Sequence, residues 1–343
     1  MQELTIGANE AGQRFDKYLK KLFPDAPSGL LYGQLRKKNL TLNGKKAEGK
    51  ELLKEGDLVQ CFFSQETFDK FRGGANKARE TSAYQKAYQK LQGIQVLYED
   101  SHFIFLNKPA GILTQKASPE DLSLNEWMIG YLLDKGSLTE KELETFCPSV
   151  ANRLDRNTSG LVLCGKSLVG LQILSELIRD RKIQKFYQCI CHGEMHQPQS
   201  LEGYLSKREA TNQVTIFDRP TPGATQIRTK YRPLAATKAY TFLEVELITG
   251  KTHQIRAHLA SEGHSLLGDS KYGDSLTAMT DQKEFGIRHQ LLHARHVVFP
   301  DKIELSLDSN QYEKALTPLL GKTISAPLPS EFLRIEKKIF LES

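Results

Sequence analysis

The sequence has 343 residues, of which 39% are hydrophobic and 26% charged, with a formal net charge of +6 and a mean hydropathy of -0.44. This composition excludes a disordered or fibrous chain, and the length favours two domains. No run of 18 apolar residues occurs, which excludes a transmembrane helix. The first residues lack the basic and apolar regions of a secretory signal, so we expect a cytoplasmic protein with no membrane partner.

The excess positive charge lies near the start of the chain. Residues 1–90 hold 17 Lys and Arg against 11 Asp and Glu, whereas the remainder holds 30 of each. Such asymmetry is typical of an appended segment that binds a polyanion, and nucleic acid is the commonest one. A solvated Lys-rich surface would give the same composition, so this alternative stays open at this point.

Residues 1–63 are predicted to form a small α/β module. An amphipathic helix is expected over about 14–23, followed by a second helix that Ser28 caps and that ends with Asn39 as a left-handed C-cap. An Asn43-Gly44 turn and a strand over 58–63 complete the module. Its candidate polyanion contacts are basic side chains on or next to the two helices: Arg14, Lys17, Arg36, Lys37 and Lys38.

This order of elements resembles the alpha-L RNA-binding module, which bacterial RNA-modifying enzymes, a ribosomal small-subunit protein and tyrosyl-tRNA synthetases share. The resemblance implies that the clustered basic side chains bind RNA phosphates. One position departs from the pattern: Gly29 stands where the module usually has an arginine after the serine. The resemblance therefore implies that one phosphate has no partner at this position.

Residues 64–93 are poor in aliphatic residues, and we expect a flexible linker that is helical at most in its second half. Residues 94–335 are predicted to form a second, larger domain, which carries the motifs described below. Strand patterns dominate there, helical patterns interrupt them without regular alternation, and several strands look joined by hairpins. The predicted fold class is α+β, with a mixed, largely antiparallel central sheet flanked by helices. The strands are expected at 96–98, 103–106, 160–164, 186–191, 240–247 and 296–299, and the helices at 124–133, 168–179 and 253–261.

The segment 152–163 reads Asn-Arg-Leu-Asp-Arg-Asn-Thr-Ser-Gly-Leu-Val-Leu. It places one carboxylate, Asp155, on a polar loop at the entrance of a buried strand, where a rigid sheet can position it. In this motif the chain resembles the large-subunit rRNA/tRNA type of pseudouridine synthase. Three further stretches resemble the same family in the same order: 97–111 with Asn-Lys-Pro-Ala-Gly, Lys-Phe-Tyr at 185–187, and 249–273 with Thr-His-Gln-Ile-Arg and Gly-Asp-Ser-Lys-Tyr-Gly.

The resemblance implies an enzyme that isomerises uridine to pseudouridine in structured RNA without a metal or redox cofactor. It implies Asp155 as the nucleophile, Tyr187 as the residue that stacks on the target base and can remove its C5 proton, and Arg256 as the partner that keeps Asp155 ionised. An ionised carboxylate can attack covalently. Attack at C1′ of the ribose and attack at C6 of the uracil are both open.

The target base must leave its stack to reach the aspartate. Arg153 can fill the vacated space or hold a phosphate, or it can anchor the loop by pairing with a carboxylate, because both roles use the same guanidinium geometry. Asn152 departs from the family pattern, which commonly has histidine there. Because the implied mechanism uses no proton donor at that position, we expect activity to survive.

Three histidines at helical spacing, His289, His293 and His296, raise the question of a metal site. No HExxH pattern and no CxxC pair accompany them, so we expect no metal. The expected partner is structured RNA, 23S rRNA or a ribosome-assembly intermediate, because the appended module accompanies rRNA-directed members of the family, and we expect a monomer. The alternatives are a tRNA-directed synthase of the same family and a non-catalytic RNA-binding or ribosome-assembly factor on the same fold.

Overall fold

The computed structural model describes residues 1–7, 9–72, 74–208, 211–302, 305 and 310–342, without the side chains of 74–80 and 310. Over these residues the chain forms a small sheet near its start and a large sheet in the remainder. No helix in the described part combines the length and the apolar character that crossing a membrane requires.

The N-terminal module, residues 1–63, packs two helices on a small antiparallel sheet. The apolar face of its first helix forms the core, where Phe15, Leu19 and Phe23 are fully buried. Asn43 (φ 51°) and Gly44 (φ 71°) form the predicted hairpin turn, in which both positions need a left-handed backbone. The elements are β1 (Gln2–Thr5), α1 (Phe15–Leu22), α2 (Ser28–Arg36), β2 (Leu40–Leu42), β3 (Lys45–Lys46) and β4 (Leu58–Cys61), with the strands in the order β1-β4-β2-β3.

Both ends of α2 differ from expectation by one residue. Pro27, which already has an extended backbone, is the N-cap, and Ser28 is the first helical residue. At the other end Lys38 (φ 60°) takes the left-handed conformation instead of Asn39. The N–H of Lys38 then bonds to the carbonyl of Leu35 at 3.1 Å, and that of Asn39 to the carbonyl of Gln34 at 3.0 Å. This is the Schellman pattern, which satisfies the last carbonyls of the helix.

The predicted flexible linker, 64–93, is mostly helical: α3 (Gln65–Arg72) and α4 (Gly74–Lys90). Phe68 of α3 belongs to the core of the N-terminal module. Helix α4 instead lies against α5 (Leu124–Asp134), where Ala87 is fully buried. A Cβ on Gly130 of α5 would lie 2.4 Å from the carbonyl oxygen of Tyr84. The two ends of the segment therefore pack against different cores. Small and aromatic residues occupy the positions that aliphatic residues usually have in such cores.

The rest of the chain is built on one large sheet. Its strands are β5 (Gln95–Glu99), β6 (Phe103–Lys108), β7 (Ser149–Val150), β8 (Ser159–Gly165), β9 (Gln184–His192), β10 (Gln199–Arg208), β11 (Gln213–Phe217), β12 (Thr225–Ala236), β13 (Tyr240–Leu247), β14 (Leu292–Val298) and β15 (Thr323–Ser325). Their order is β11-β10-β12-β13-β9-β14-β8-β6-β5, with β15 beside β14 and β7 beside β8. Among the described strands β14 and β8 pair in parallel and the other neighbours pair antiparallel. The predicted fold class, α+β with a mixed and largely antiparallel sheet, is confirmed.

The central strands β6 and β8 are buried on both faces of the sheet. Ile104 and Leu106 face the core that α4 and α5 cover, whereas Phe103 and Phe105 face the core under α6 (Leu168–Arg179). Burial on both faces explains why these strands are continuous apolar runs in the sequence. The remaining helices are α7 (Gln254–Ser261), α8 (Ser275–Phe285), α9 (Asn310–Leu316) and α10 (Ser330–Phe340).

Strands β10 to β12 were not among the predicted elements. Their exposed face carries cross-strand ion pairs, such as Arg232 with Glu244 at 2.7 Å, while Ile227 and Tyr231 on the other face are buried. Because half of each strand is charged or polar, the apolar signal that a strand prediction depends on is diluted.

Candidate active site

The loop that carries Asp155 connects β7 to β8, and its main chain is held on both sides of this residue. On one side the hydroxyl of Thr114 accepts the N–H of Leu154 at 3.1 Å and donates to its carbonyl at 2.8 Å. On the other side the carbonyl of Arg156 accepts from Lys108 Nζ and from the N–H of Gly111, both at 2.9 Å. The aspartate is therefore presented by a fixed turn.

Lys108 is a fully buried ammonium group at the end of β6. Besides Arg156 it donates to the carbonyls of Pro109 and Ile112, at 3.1 and 2.8 Å. Burial lowers the pKa of Lys108 to about 7, although the negative charge of Asp155 acts to raise it. Its three carbonyl partners tie the segment after β6 to the Asp155 loop.

The strand after the loop is fixed equally tightly. Gly160 has φ +110°, and a Cβ there would lie 2.2 Å from the carbonyl oxygen of Ala294 on β14, so a side chain cannot be accommodated. Asn152, the departure from the family pattern, accepts the N–H of Leu163 on its Oδ1 at 2.7 Å. Its side chain therefore helps to hold the turn against β8.

Arg256 connects two carboxylates. Its Nη1 donates to Asp155 Oδ2 at 3.0 Å, while its Nε and Nη2 donate to the two oxygens of Asp269 at 2.7 and 2.9 Å. The side chain of Asp269 is 1% exposed and that of Asp155 22%. Although burial acts to lower it, the two carboxylates raise the pKa of Arg256. The buried Asp269 thus fixes a charged guanidinium that faces the more exposed Asp155.

A histidine and a tyrosine form a second layer around this pair. His253 Nε2 lies 3.8 Å from Asp155 Oδ2, and its Nδ1 lies 2.8 Å from the hydroxyl of Tyr272. That hydroxyl accepts the N–H of Val214 at 3.1 Å, so its proton is free to be donated to Nδ1, which leaves the ring proton on Nε2, towards Asp155. Burial lowers the pKa of His253, so the ring is neutral near pH 7.

Tyr187 lies in the middle of β9, paired with Val245 of β13 and Ala294 of β14. It is 7% exposed and lines the same cleft as Asp155. Burial raises the pKa of Tyr187, and the charge of Asp155 raises it further. The phenol therefore stays neutral at physiological pH.

The cleft in front of Asp155 and Tyr187 has a volume of about 1150 Å³. Among the described residues its lining contains two carboxylates, Asp155 and Asp269, and both are bonded to Arg256. A cleft lined by one sign of charge concentrates a polyanion. Its other cationic lining residues are Lys116, Arg153, Arg156, Arg179, Arg181, Lys185, Lys207, Lys251, Lys271 and Arg288.

Arg153 is exposed at the edge of this cleft. In the part of the chain that the structure describes, it pairs with no carboxylate. Of the two roles open to it, loop anchoring through an ion pair therefore has no carboxylate partner among the described residues.

The candidate residues of the N-terminal module lie away from the cleft lining. Arg14 donates from Nε and Nη2 to Asp16 at 3.1 and 2.9 Å, and Asp16 also accepts the Tyr32 hydroxyl at 2.8 Å. The guanidinium of Arg14 is thus engaged within the module, which reduces what it can offer a phosphate. The side chains of the other four are exposed: Lys17, Arg36, Lys37 and Lys38.

The three histidines that raised the metal question have separate environments. The fully buried His293 is hydrogen-bonded through Nδ1 to Ser159 Oγ at 2.8 Å and through Nε2 to a main-chain carbonyl. His296 stacks on Phe186 with centroids 4.5 Å apart, and His289 lines the cleft. Within the described residues no group of three or more His, Cys, Asp or Glu side chains could hold a metal ion.

Five side chains that hold the site together were not assigned a role from sequence: Lys108, Thr114, His253, Asp269 and Tyr272. Four of them fall in stretches that already match the family motifs, so a signal was present in the sequence. Thr114 has no such signal, because a threonine in a polar turn is ordinary and only the fold brings it to Leu154.

Comparisons with known proteins show similarity to pseudouridine synthases. A family model described as RNA pseudouridylate synthase matches residues 102–261. The sequence is 28% identical over 302 residues to ribosomal large subunit pseudouridine synthase C of Vibrio parahaemolyticus, with 87% of this chain and 88% of the relative covered. It is 29% identical over 301 residues to the protein of the same name from Rickettsia felis, with 86% and 92% covered. The solved structure of human RNA Pseudouridylate Synthase Domain Containing 4 has the same fold, with a TM-score of 0.56 at 20% identity over 76% of this chain and 97% of that chain.

Proposed function

This chain belongs to the RNA pseudouridylate synthase family and isomerises uridines in RNA; from that premise we propose that it acts on large-subunit ribosomal RNA with Asp155 as its nucleophile. The observation that carries the proposal is the partly exposed Asp155 carboxylate, 3.0 Å from Arg256 Nη1 and at the base of a cationic cleft. The relatives named as ribosomal large subunit enzymes support the choice of substrate.

The reaction conserves all atoms of the substrate. The C1′–N1 bond of the uridine breaks, the freed uracil turns, C5 bonds to C1′, and the C5 proton leaves while N1 takes up a proton. An ionised carboxylate supports these steps by forming a bond to the substrate and releasing it again. Asp155 is suited to this because Arg256 is fixed beside it before RNA arrives, so no group has to reorganise.

Asp269 has a distinct part in this scheme. When Asp155 forms a covalent bond its negative charge disappears, and Arg256 would otherwise be left as an uncompensated buried cation, which is costly. The bidentate pairing of Asp269 with Arg256 does not depend on the charge of Asp155. We therefore assign Asp269 to balancing charge while Asp155 is bonded to substrate.

Tyr187 supplies a ring on which the extruded uracil can stack. Its neutral phenol is a poor general base, because efficient proton abstraction needs a pKa near the operating pH and burial raises the pKa of Tyr187. We assign Tyr187 to holding the base while it turns. Extrusion itself costs a few kcal/mol. We assign Arg153, two residues before Asp155 in the same loop, to occupying the vacated space or holding a phosphate.

We assign the N-terminal module to a second RNA contact, through Lys17, Arg36, Lys37 and Lys38. Exposed basic side chains near one helix end are the usual electrostatic footprint of phosphate binding, and among the described residues none of these four pairs with a carboxylate. The module then increases affinity for a large RNA without altering the chemistry at Asp155.

The substrate proposal is tested with unmodified transcripts of large-subunit rRNA and of tRNA, each incubated with the protein and mapped for pseudouridine at single-nucleotide resolution. We expect new pseudouridine in the rRNA at discrete positions and none in tRNA. Modification of tRNA alone would favour the tRNA-directed alternative. Absence of pseudouridine from every transcript and from ribosomal assembly intermediates would favour a binding factor without catalysis.

A further inference from the structure

We propose that Thr114 is a positioning residue for the reaction, whose hydroxyl fixes the main chain immediately before the nucleophile. The inference rests on the proposed role of Asp155. Thr114 lines the Asp155 cleft but is only 3% exposed, so we assign it to act through Leu154 and not by binding the substrate.

The interaction is a double hydrogen bond to one residue. Thr114 Oγ1 accepts the N–H of Leu154 at 3.1 Å and donates to the carbonyl of Leu154 at 2.8 Å. Thr114 is 3% exposed and Leu154 8%, so water cannot easily replace either bond. A single hydroxyl thus satisfies both main-chain polar groups of the residue next to Asp155.

Thr114 is itself held by a rigid element. The carbonyl of Thr114 accepts the N–H of Asn125, at 3.2 Å, and that of Leu113 accepts the N–H of Leu124, at 2.8 Å. Both donors belong to the first turn of α5. The side chain of Asn125 also accepts the N–H of Val150, the last residue of β7 before the Asp155 loop, at 3.0 Å. Thr114 therefore links the first turn of α5 to the Asp155 loop, so the position of the loop depends on that of the helix.

The main chain on the two sides of Asp155 is held by different numbers of hydrogen-bond partners. The carbonyl of Arg156 has two donors, Lys108 Nζ and the N–H of Gly111. Among the described residues, the main-chain groups of Leu154 depend on Thr114 alone. Removing this hydroxyl leaves a buried donor and a buried acceptor without partners, so the turn shifts to find water. Asp155 is the next residue, and its 3.0 Å hydrogen bond with Arg256 shifts with it.

The chain offers a matched control, a second buried threonine whose hydroxyl donates one hydrogen bond to the main chain and accepts another. Thr241, fully buried on β13, donates through Oγ1 to the carbonyl of Gly193 at 2.7 Å and accepts the N–H of Met195 at 2.9 Å. Thr241 does not line the Asp155 cleft. Valine at either position removes the same two bonds with nearly the same side-chain volume, so both variants should be less stable.

The test compares Thr114→Val, Thr114→Ser and Thr241→Val in the full-length enzyme, using steady-state release of tritium from [5-³H]uridine-labelled rRNA and thermal unfolding. We expect Thr114→Val to lower kcat about 10- to 100-fold with little change in KM, because misplacing a reacting group by about 1 Å costs on this order. Thr114→Ser should recover most of kcat, since it restores the hydroxyl. Thr241→Val should lower the unfolding midpoint comparably while kcat is unchanged.

Two results would overturn the proposal: an unchanged kcat in Thr114→Val, or an equal reduction of kcat in Thr241→Val. Failure of the proposed function would look different, since the unsubstituted enzyme would then release no tritium in the same assay.

Discussion

At the scale of single residues, the site is organised around the guanidinium of Arg256. Its planar fork serves two carboxylates of unequal exposure, the buried Asp269 and the accessible Asp155. A lysine ammonium is a point charge that cannot reproduce two parallel bonds to one carboxylate and a third bond to another. The shape of arginine, and not only its charge, is therefore needed to orient Asp155.

We accordingly predict that Arg256→Lys lowers kcat about 100-fold, the cost expected of a reacting group held out of position, although the positive charge is retained. Arg232→Lys is the matched control, because Arg232 also pairs with a carboxylate, Glu244, but on the solvent-exposed face of β12. Tritium release from labelled RNA measures both. Equal kcat values for the two variants would show that charge alone suffices at position 256.

The buried His293 gives a prediction about stability. Burial lowers the pKa of His293 to about 4, so the folded protein keeps this ring neutral while the unfolded chain takes up a proton at a pH near 6.5, as is usual for histidine. The buried neutral ring therefore does not reduce the free energy of unfolding above about pH 6.5. As the pH falls from 6.5 towards 4, the unfolded chain binds a proton that the folded protein does not, and the free energy of unfolding decreases. The unfolding free energy of the wild type should fall by about 3 kcal/mol more than that of His293→Gln between about pH 7 and 4. Urea unfolding at several pH values measures this, and parallel curves for the two proteins would contradict it.

At the scale of secondary-structure elements, function depends on how closely neighbours approach. Gly160 brings β8 against β14 at the start of the strand that follows the Asp155 loop, and Gly130 brings α5 against α4. Since the first turn of α5 holds Thr114, the packing of α4 on α5 bears indirectly on the Asp155 loop. The segment with the composition of a linker thus braces the catalytic unit.

We predict that Gly130→Ala destabilises the protein by about 1–3 kcal/mol, because the new Cβ would lie 2.4 Å from the Tyr84 carbonyl oxygen and force the helices apart. Gly33→Ala is the control: Gly33 is also inside a helix, α2, but nothing lies within 4 Å of its Cβ position. Helix propensity then favours alanine by up to about 1 kcal/mol. Denaturant unfolding of both variants tests the contrast, and stabilisation by both would mean that α4 does not pack as described.

At the scale of the whole molecule, the described residues form two basic surfaces, which we propose bind the same RNA. The catalytic unit has balanced charges in its sequence, yet the structure gathers ten cations besides Arg256 around one cleft. The N-terminal module carries its own exposed cations at the end of α2. If both surfaces bind RNA as proposed, changes in the N-terminal module should alter affinity for RNA without altering the chemistry at Asp155.

Changing Arg36, Lys37 and Lys38 together to glutamate should weaken RNA binding while kcat at saturating RNA is unchanged. The slope of log affinity against log salt should become shallower by about 0.7–0.9 for each phosphate that these side chains no longer neutralise. The control changes three exposed lysines of the catalytic unit outside the cleft, Lys283, Lys302 and Lys314, to glutamate. Filter binding across a salt series would contradict the assignment if both triple variants showed the same slope.

Sequence patterns predicted the buried strands and the motif residues because these depend on local apolar runs and on residue order. The Asn43-Gly44 turn could be predicted because asparagine and glycine adopt the left-handed backbone conformation more readily than other residues. The contact of Thr114 did not follow, because Leu154 lies 40 residues further along the chain. The contact of Asp269 did not follow either, because Arg256 is on α7 and Asp269 is in the turn 13 residues later, so the pairing depends on how the chain folds back between them. The packing of α4 was missed for a related reason: its contacts use Ala87, Tyr84 and a glycine on another helix, which no periodicity reveals.

The most direct test of Asp155 as the nucleophile is tritium release from [5-³H]uridine-labelled large-subunit rRNA by the wild type and by Asp155→Asn, with RNA binding measured in parallel. We predict turnover by the wild type, none above background by Asp155→Asn, and similar affinity for RNA in both, because the amide has the same shape but cannot act as a nucleophile. Turnover by Asp155→Asn at a rate comparable to that of the wild type would contradict the assignment.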